Sequence, residues 1–181
     1  MGSGKTSVGQ AYSRLTGAEF VDLDHRIVEA HGQIPDIFAA GGEALFRSLE
    51  TEALRQAVTE TGTVISAGGG VILSEQNRTL LADAYVVHLS IDQATARGRI
   101  PEASSRPMLA GSDPMQSWQR ILEGRLPLYE QVATLTVDAR SDTPDELAAQ
   151  IASAYAMDSF AESSSSNAPN VITEVSNGSS T

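Results

Sequence analysis

The chain opens on MGSGKTS. Gly4, Lys5 and Thr6 supply the second half of the pattern G-x-x-x-x-G-K-[ST], a loop that leaves a buried strand and enters a helix. In such a loop Gly2, Ser3 and Gly4 let backbone N–H groups approach phosphate oxygens, and the following helix turns the positive end of its dipole toward them. Lys5 reaches the outer phosphates, the Thr6 hydroxyl is a ligand for Mg2+, and Ser7 completes the nucleotide-binding set. The pattern's first glycine and its strand would lie before Met1.

Four further groups have types and spacing suited to chemistry. Asp22-x-Asp24 closes a short strand, and in open α/β sheets ligands bind beyond the carboxyl ends of strands. Asp22 suits Mg2+, which takes few carboxylates and keeps most of its waters. Asp24 suits a substrate hydroxyl, as orienter and proton acceptor, and serves equally as the N-cap of the next helix. Arg47 and Glu50 in FRSLE are three apart on one helix face, a surface ion pair or a guanidinium held ready for a carboxylate. Gly68-Gly69-Gly70 follows an apolar strand; a turn needs fewer glycines, so a ligand against bare backbone is expected, with a flexible hinge as the other reading. Arg99, Arg106 and Arg125 complete the set. Arg106 lies in a polar loop of the kind that closes over a nucleotide, where it would neutralise the transferring phosphoryl group.

The elements that must position these groups follow from periodicity and punctuation. Val8, Ala11, Tyr12 and Leu15 have helical spacing, ended by Gly17. AEFVDLD, GTVISA, AYVVHLSI and ATLTVDA read as strands. HRIVEAHG and IPDIFAAGG read as short helices broken by glycines, and a longer helix runs from Glu43 to about Glu60. Ser74 caps a helix to about Ala82, and 92–98 is helical. MQSWQRILEGRLPLYEQV is helix with a break near Pro127, which Arg125 adjoins. Thr143, Pro144 and Glu146 form a capping box at the last helix. Strands alternating with helices indicate a parallel sheet covered on both faces. From residue 157 the composition turns to serine, asparagine and glycine, which predicts a disordered tail; NVITEV within it has the character of a short strand.

With 181 residues the chain fits one domain with a tail. Its net charge of -11 argues against nucleic acid and anionic membrane as partners. No apolar run reaches the ~18–20 residues of a membrane span. No secretory pattern opens the sequence, so a cytoplasmic location is expected. There are no cysteines, which excludes thiolate metal sites and cysteine nucleophiles. His25, His31 and His88 lack metal-ligand spacing.

Taken in order, GSGKT, DLD at 22–24, DIFAAGGEALFRSLE at 36–50, ISAGGGVIL at 65–73, RPML at 106–109 and RLPLYEQVA at 125–133 resemble shikimate kinase, a small P-loop kinase family. The resemblance runs from residue 1 to about 155. It implies a three-layer α/β fold with a parallel sheet of order 2-3-1-4-5. It also implies ATP-dependent, Mg2+-assisted phosphorylation of the 3-hydroxyl of shikimate, by a monomer. Arg47 and Arg125 would meet the substrate carboxylate, while Asp24 and Gly68, Gly69 and Gly70 would hold the ring hydroxyls. Lys5 and Arg106 would serve the phosphates, and Arg99 and Pro144 would border adenine. Residues 23–60 would form the substrate-binding subdomain and 102–113 the lid.

The departure is at the front, where the first, central strand of that sheet is missing. An empty slot would leave roughly five apolar side chains unburied at ~1.5–3 kcal/mol each, comparable with a domain's whole stability of ~5–15 kcal/mol. The chain is therefore expected to be an N-terminally shortened form of a working kinase, or barely folded. Two other readings share its features. A gluconate kinase has the same loop and size but is not expected to carry the D-x-D, F-R-x-x-E and G-G-G set. A nucleotide- or shikimate-binding domain without turnover would follow from the absent strand. The tail also allows a linker to another enzyme.

Overall fold

A computed structural model describes residues 2–99, 113–162 and 171–176. Its elements run α1 (Lys5–Thr16), β1 (Glu19–Asp22), α2 (Leu23–His31), α3 (Ile34–Ala57), β2 (Thr63–Ser66), a 3-10 turn (Val71–Leu73), α4 (Glu75–Leu81), β3 (Tyr85–Ser90), α5 (Gln93–Arg99), α6 (Pro114–Val132), β4 (Leu135–Asp138), α7 (Pro144–Glu162) and β5 (Val171–Ser176). The five strands form one sheet in the order β1-β2-β5-β3-β4, and every pairing is parallel.

Successive side chains of a strand point to opposite faces, so a sheet covered on both sides needs apolar residues in runs. β2 is buried throughout, and Val64 and Ile65 enter different cores. Val64 joins Val87 of β3 and Val8, Tyr12, Trp118 and Ile151 from α1, α6 and α7. Ile65 joins Val86 of β3 and Ile27, Leu54, Ile72 and Tyr129 from α2, α3, the 3-10 turn and α6. This is the expected three-layer α/β arrangement.

Four expectations need correction. The gap between β2 and β3 is not empty: residues 171–176 lie in it as β5. The tail is not disordered from 157, because α7 continues to Glu162 and β5 follows at 171–176. Average composition hid a short β-branched run that two neighbouring strands can pair. Asp22, not Asp24, caps α2; its Oδ1 accepts from the His25 N–H at 3.2 Å. α6 passes through Pro127 without a break. A helical proline removes one bond to the preceding turn, and burial of Trp118 in one core and Tyr129 in the other holds the rest together.

The long helix from Ile34 is two helices joined at Gly42, whose φ of 66° and ψ of -164° bend the chain there, as the glycine pair leads one to expect. The capping box at α7 is also present: Thr143 N–H donates to Glu146 Oε2 at 2.8 Å, and Glu146 N–H to Thr143 Oγ1 at 3.3 Å.

Candidate active site

The glycine loop meets α1 at the sheet edge formed by the carboxyl ends of β1 and β2. Gly2 and Gly4 have φ of 83° and 85°, a region that glycine enters without strain. Gly4 is the N-cap of α1 and provides no side chain to the first turn, so the N–H groups there are left for a ligand. Ser3 is buried, and its hydroxyl has no hydrogen-bond partner among the described residues. An orphaned buried hydroxyl between two left-handed glycines fits a phosphate group.

Thr6 stands beside a carboxylate. Its Oγ1 donates to Asp22 Oδ2 at 3.0 Å and lies 3.4 Å from Ser66 Oγ. Asp22 thus works twice, one oxygen capping α2 and the other facing α1. Among the described residues there is no group of three or more His, Cys, Asp or Glu that could hold a metal. One carboxylate beside a hydroxyl suits Mg2+, which keeps most of its waters.

The second half of the site is built around Gly68–Gly70. Arg47 Nη1 donates to Glu50 Oε2 at 2.7 Å, while its Nε and Nη2 donate to Glu43 Oε1 at 3.2 and 3.0 Å. The guanidinium also lies 5.3 Å from the Phe46 ring centre, within range of a cation–π contact. Two carboxylates and a ring therefore fix its orientation. The surface-pair reading fails, because Glu50 is only 1% exposed. Burial pushes the Glu50 carboxyl above its ordinary range. The Arg47 charge pulls against that, and the nearby Asp24 charge adds to it.

The glycines are needed for close approach. A Cβ at Gly70 would stand 2.2 Å from Arg47 Nη1, and one at Gly68 would stand 3.0 Å from Glu50 Oε1 and 3.5 Å from Asp24 Oδ1. Gly69 contributes its carbonyl, which accepts from Arg125 Nη1 at 2.9 Å and from the Tyr129 hydroxyl. The hinge reading gives way to a loop gripped from both sides. Asp24, Arg47 and Arg125 come from α2, α3 and α6 and converge on this one stretch of bare backbone.

Arg99 ends α5, and its Nη2 donates to the Arg140 carbonyl at 3.2 Å, in the turn that leads to Pro144 at the start of α7. Arg106 and residues 102–112 of the expected lid lie outside the described residues; Asp113 caps α6 through the N–H groups of Met115 and Gln116.

Sequence reasoning missed Glu43, Ser66 and Tyr129. Each had a signal. Glu43 is four residues before Arg47 and Tyr129 four after Arg125, the spacing of neighbours on a helix. Ser66 is a hydroxyl at a strand's carboxyl end.

One edge of the sheet therefore carries two adjoining groups, a glycine loop suited to phosphates and a pair of arginines with an aspartate over bare backbone. That division of labour defines a P-loop small-molecule kinase. The family model for shikimate kinase matches residues 1–156. A shikimate kinase of Streptomyces coelicolor is 43% identical over 148 residues, covering 81% of this chain and 86% of the relative. One from Saccharopolyspora erythraea is 40% identical over 151 residues, 83% of this chain and 86% of the relative. The solved shikimate kinase from Acinetobacter baumannii in complex with shikimate matches with a TM-score of 0.83 at 34% identity, over 87% of this chain and 89% of that one. The chain belongs to the shikimate kinase family.

Proposed function

We propose that this chain uses ATP and Mg2+ to phosphorylate the 3-hydroxyl of shikimate, forming shikimate 3-phosphate on the route to chorismate and the aromatic amino acids. The observation that carries this reading is the convergence of Asp24, Arg47 and Arg125 on Gly68–Gly70, beside the glycine loop. Two guanidinium groups suit a carboxylate, and an aspartate over exposed backbone suits a polyol.

Arg47, held by Glu43 and Glu50, and Arg125, held on Gly69, would bind the shikimate carboxylate and set the ring. Asp24 would accept a hydrogen bond from the 3-hydroxyl and take its proton as the oxygen attacks the terminal phosphorus. Gly2, Ser3, Gly4, Lys5 and Ser7 would hold the phosphates, and Thr6 with Asp22 the metal. When bound, ATP supplies the phosphoryl group and Mg2+ offsets the charge on its oxygens. Lys5 and Arg106 would neutralise the charge that develops during transfer. Arg99 and Pro144 would border adenine; the contact of Arg99 with the turn before Pro144 supports placing them together.

Residues 23–60 would act as the substrate-binding subdomain and 102–113 as the lid. The sheet order in this reading is the family's 2-3-1-4-5, with β5 in the place of the first strand. The working unit in this reading is a monomer. The net charge of -11 supports the absence of a nucleic-acid partner. No helix among the described residues is long and apolar enough to cross a membrane; we place the enzyme in the cytoplasm, where a phosphorylated metabolite would be used.

Product analysis tests the reading. Phosphorus NMR of a reaction containing ATP, Mg2+, shikimate and the purified chain should show a phosphate ester on carbon 3 of shikimate. An ester at another hydroxyl, or phosphorylation of gluconate in its place, would overturn it.

A further inference from the structure

The carbonyls of Gly68, Gly69 and Gly70 are held in two different ways. Those of Gly68 and Gly70 accept from the N–H groups of Val71 and Leu73 at 2.9 and 3.0 Å, bonds internal to the loop and its 3-10 turn. The Gly69 carbonyl is held from outside, by α6. It accepts from Arg125 Nη1 at 2.9 Å and from the Tyr129 hydroxyl. These donors are four residues apart and so share one face of the helix. Together they use both lone pairs of the oxygen.

Glycine takes either sign of φ at little cost, so a peptide plane with glycine on both sides meets little steric resistance to rotation. The Gly68–Gly69 plane is held by the Val71 bond, and the Gly69–Gly70 plane by α6. A peptide unit is rigid, so fixing its oxygen also fixes the next α-carbon, that of Gly70. Gly70 is where the other arginine makes its approach: a Cβ there would stand 2.2 Å from Arg47 Nη1. The Gly69–Gly70 unit therefore lies between the two guanidinium groups, with Arg125 on its oxygen and Arg47 against its far α-carbon.

Tyr129 is itself fixed. It is buried, and its ring stacks on His88 of β3 with centroids 5.3 Å apart and planes 12° apart. His88 Nδ1 lies 3.4 Å from Oγ1 of Thr136, its register partner on β4. The ring is thus anchored on the sheet and the hydroxyl on the loop. An arginine stem has several torsions to order, whereas this ring is already locked, so the tyrosine is the stiffer of the two holds.

We propose that Tyr129 is a positioning residue, whose hydroxyl locks the Gly69–Gly70 peptide and thereby sets the spacing of Arg47 and Arg125 for one carboxylate. When Arg125 turns to a bound carboxylate, Tyr129 still holds the carbonyl. That the carboxylate is shikimate's rests on the kinase reading; the lock does not.

Tyr129→Phe tests this, because it keeps the ring on His88 and removes only the hydroxyl. One hydrogen bond corresponds to about a 3- to 10-fold change in an equilibrium. Hydrogen exchange at the Val71 and Leu73 amides, which report the loop's own bonds, should be faster by about that factor, with α1 and α7 unchanged. Calorimetric titration should show the Kd for shikimate weakened by a similar factor and the Kd for ATP unaltered. The melting temperature should move little, because Gly69 keeps Arg125 and the ring keeps its burial. A merely structural tyrosine would lower the melting temperature and leave the Kd for shikimate alone. Unchanged loop exchange would overturn the proposal, as would an unchanged Kd for shikimate or an equal loss of affinity for ATP. Faster loop exchange in the variant, with no shikimate bound by the unaltered chain, would support the lock and remove the substrate reading.

Discussion

Asp24→Asn preserves the shape of the side chain and removes its ability to take a proton. Steady-state kinetics should show kcat lowered about 10²–10⁴-fold with little change in KM for shikimate, the range for loss of a general base; an unchanged kcat would contradict the role. Arg47→Lys keeps the charge but loses the fork that Glu43 and Glu50 orient, and a charge-assisted bond is worth about 1.5–3 kcal/mol, so KM for shikimate should rise about 10- to 100-fold. Gly70→Ala should act similarly, because its methyl group would enter the space of the Arg47 guanidinium. The melting temperature should fall as well, because displacing Arg47 leaves the buried Glu50 carboxylate without its partner. A KM equal to that of the unaltered chain would show that Arg47 does not bind substrate.

Glu50 has a pH signature. Burial raises its folded value above the ordinary 4.5, so the folded state binds more protons than the unfolded state in the interval between the two. Its contribution to stability is therefore present below 4.5 and falls as pH rises through the folded value. Denaturant melts at stepped pH should show the difference in stability between the unaltered chain and Glu50→Gln shrinking across that interval; a difference that grows with pH would contradict the sign. The residues that meet at the glycine loop and around Gly68–Gly70 stood out by type, because a site for phosphate, Mg2+ or a carboxylate would demand such side chains. The capping role of Asp22 did not stand out, because it turns on the single residue at which β1 stops.

Elements were legible where the signal is local. The spacing of Val8, Ala11 and Tyr12, the Gly41-Gly42 break and the Thr143–Glu146 box all appear where sequence places them. Pro127 misled because packing of Trp118 and Tyr129 outweighs one missing backbone bond. The bend at Gly42 sets the direction from which the helix carrying Glu43, Arg47 and Glu50 approaches the glycines. Gly42→Ala has open space for its methyl but an unfavourable φ, so it should destabilise the chain by about 1–3 kcal/mol and raise KM for shikimate. A denaturation midpoint no lower than that of the unaltered chain would show that the bend tolerates a side chain.

At the scale of the molecule, α/β class and a two-faced parallel sheet follow from the alternation of strands and helices. Strand order does not, because it depends on partners distant in sequence. The tail shows the difference: its serines dominate any average, while the six residues that matter are meaningful only beside β2 and β3. The expected empty slot came from reading the front of the chain without its end. A sheet closed at its centre gives the glycine loop, the Thr6–Asp22 pair and the groups around Gly68–Gly70 one edge.

The most direct test of the kinase reading is ADP release by the purified 181-residue chain with ATP and Mg2+, with and without shikimate. Release that depends on shikimate, and that gluconate does not support, is the expected result. A folded chain that binds ATP but releases ADP no faster with shikimate than without it would contradict the reading.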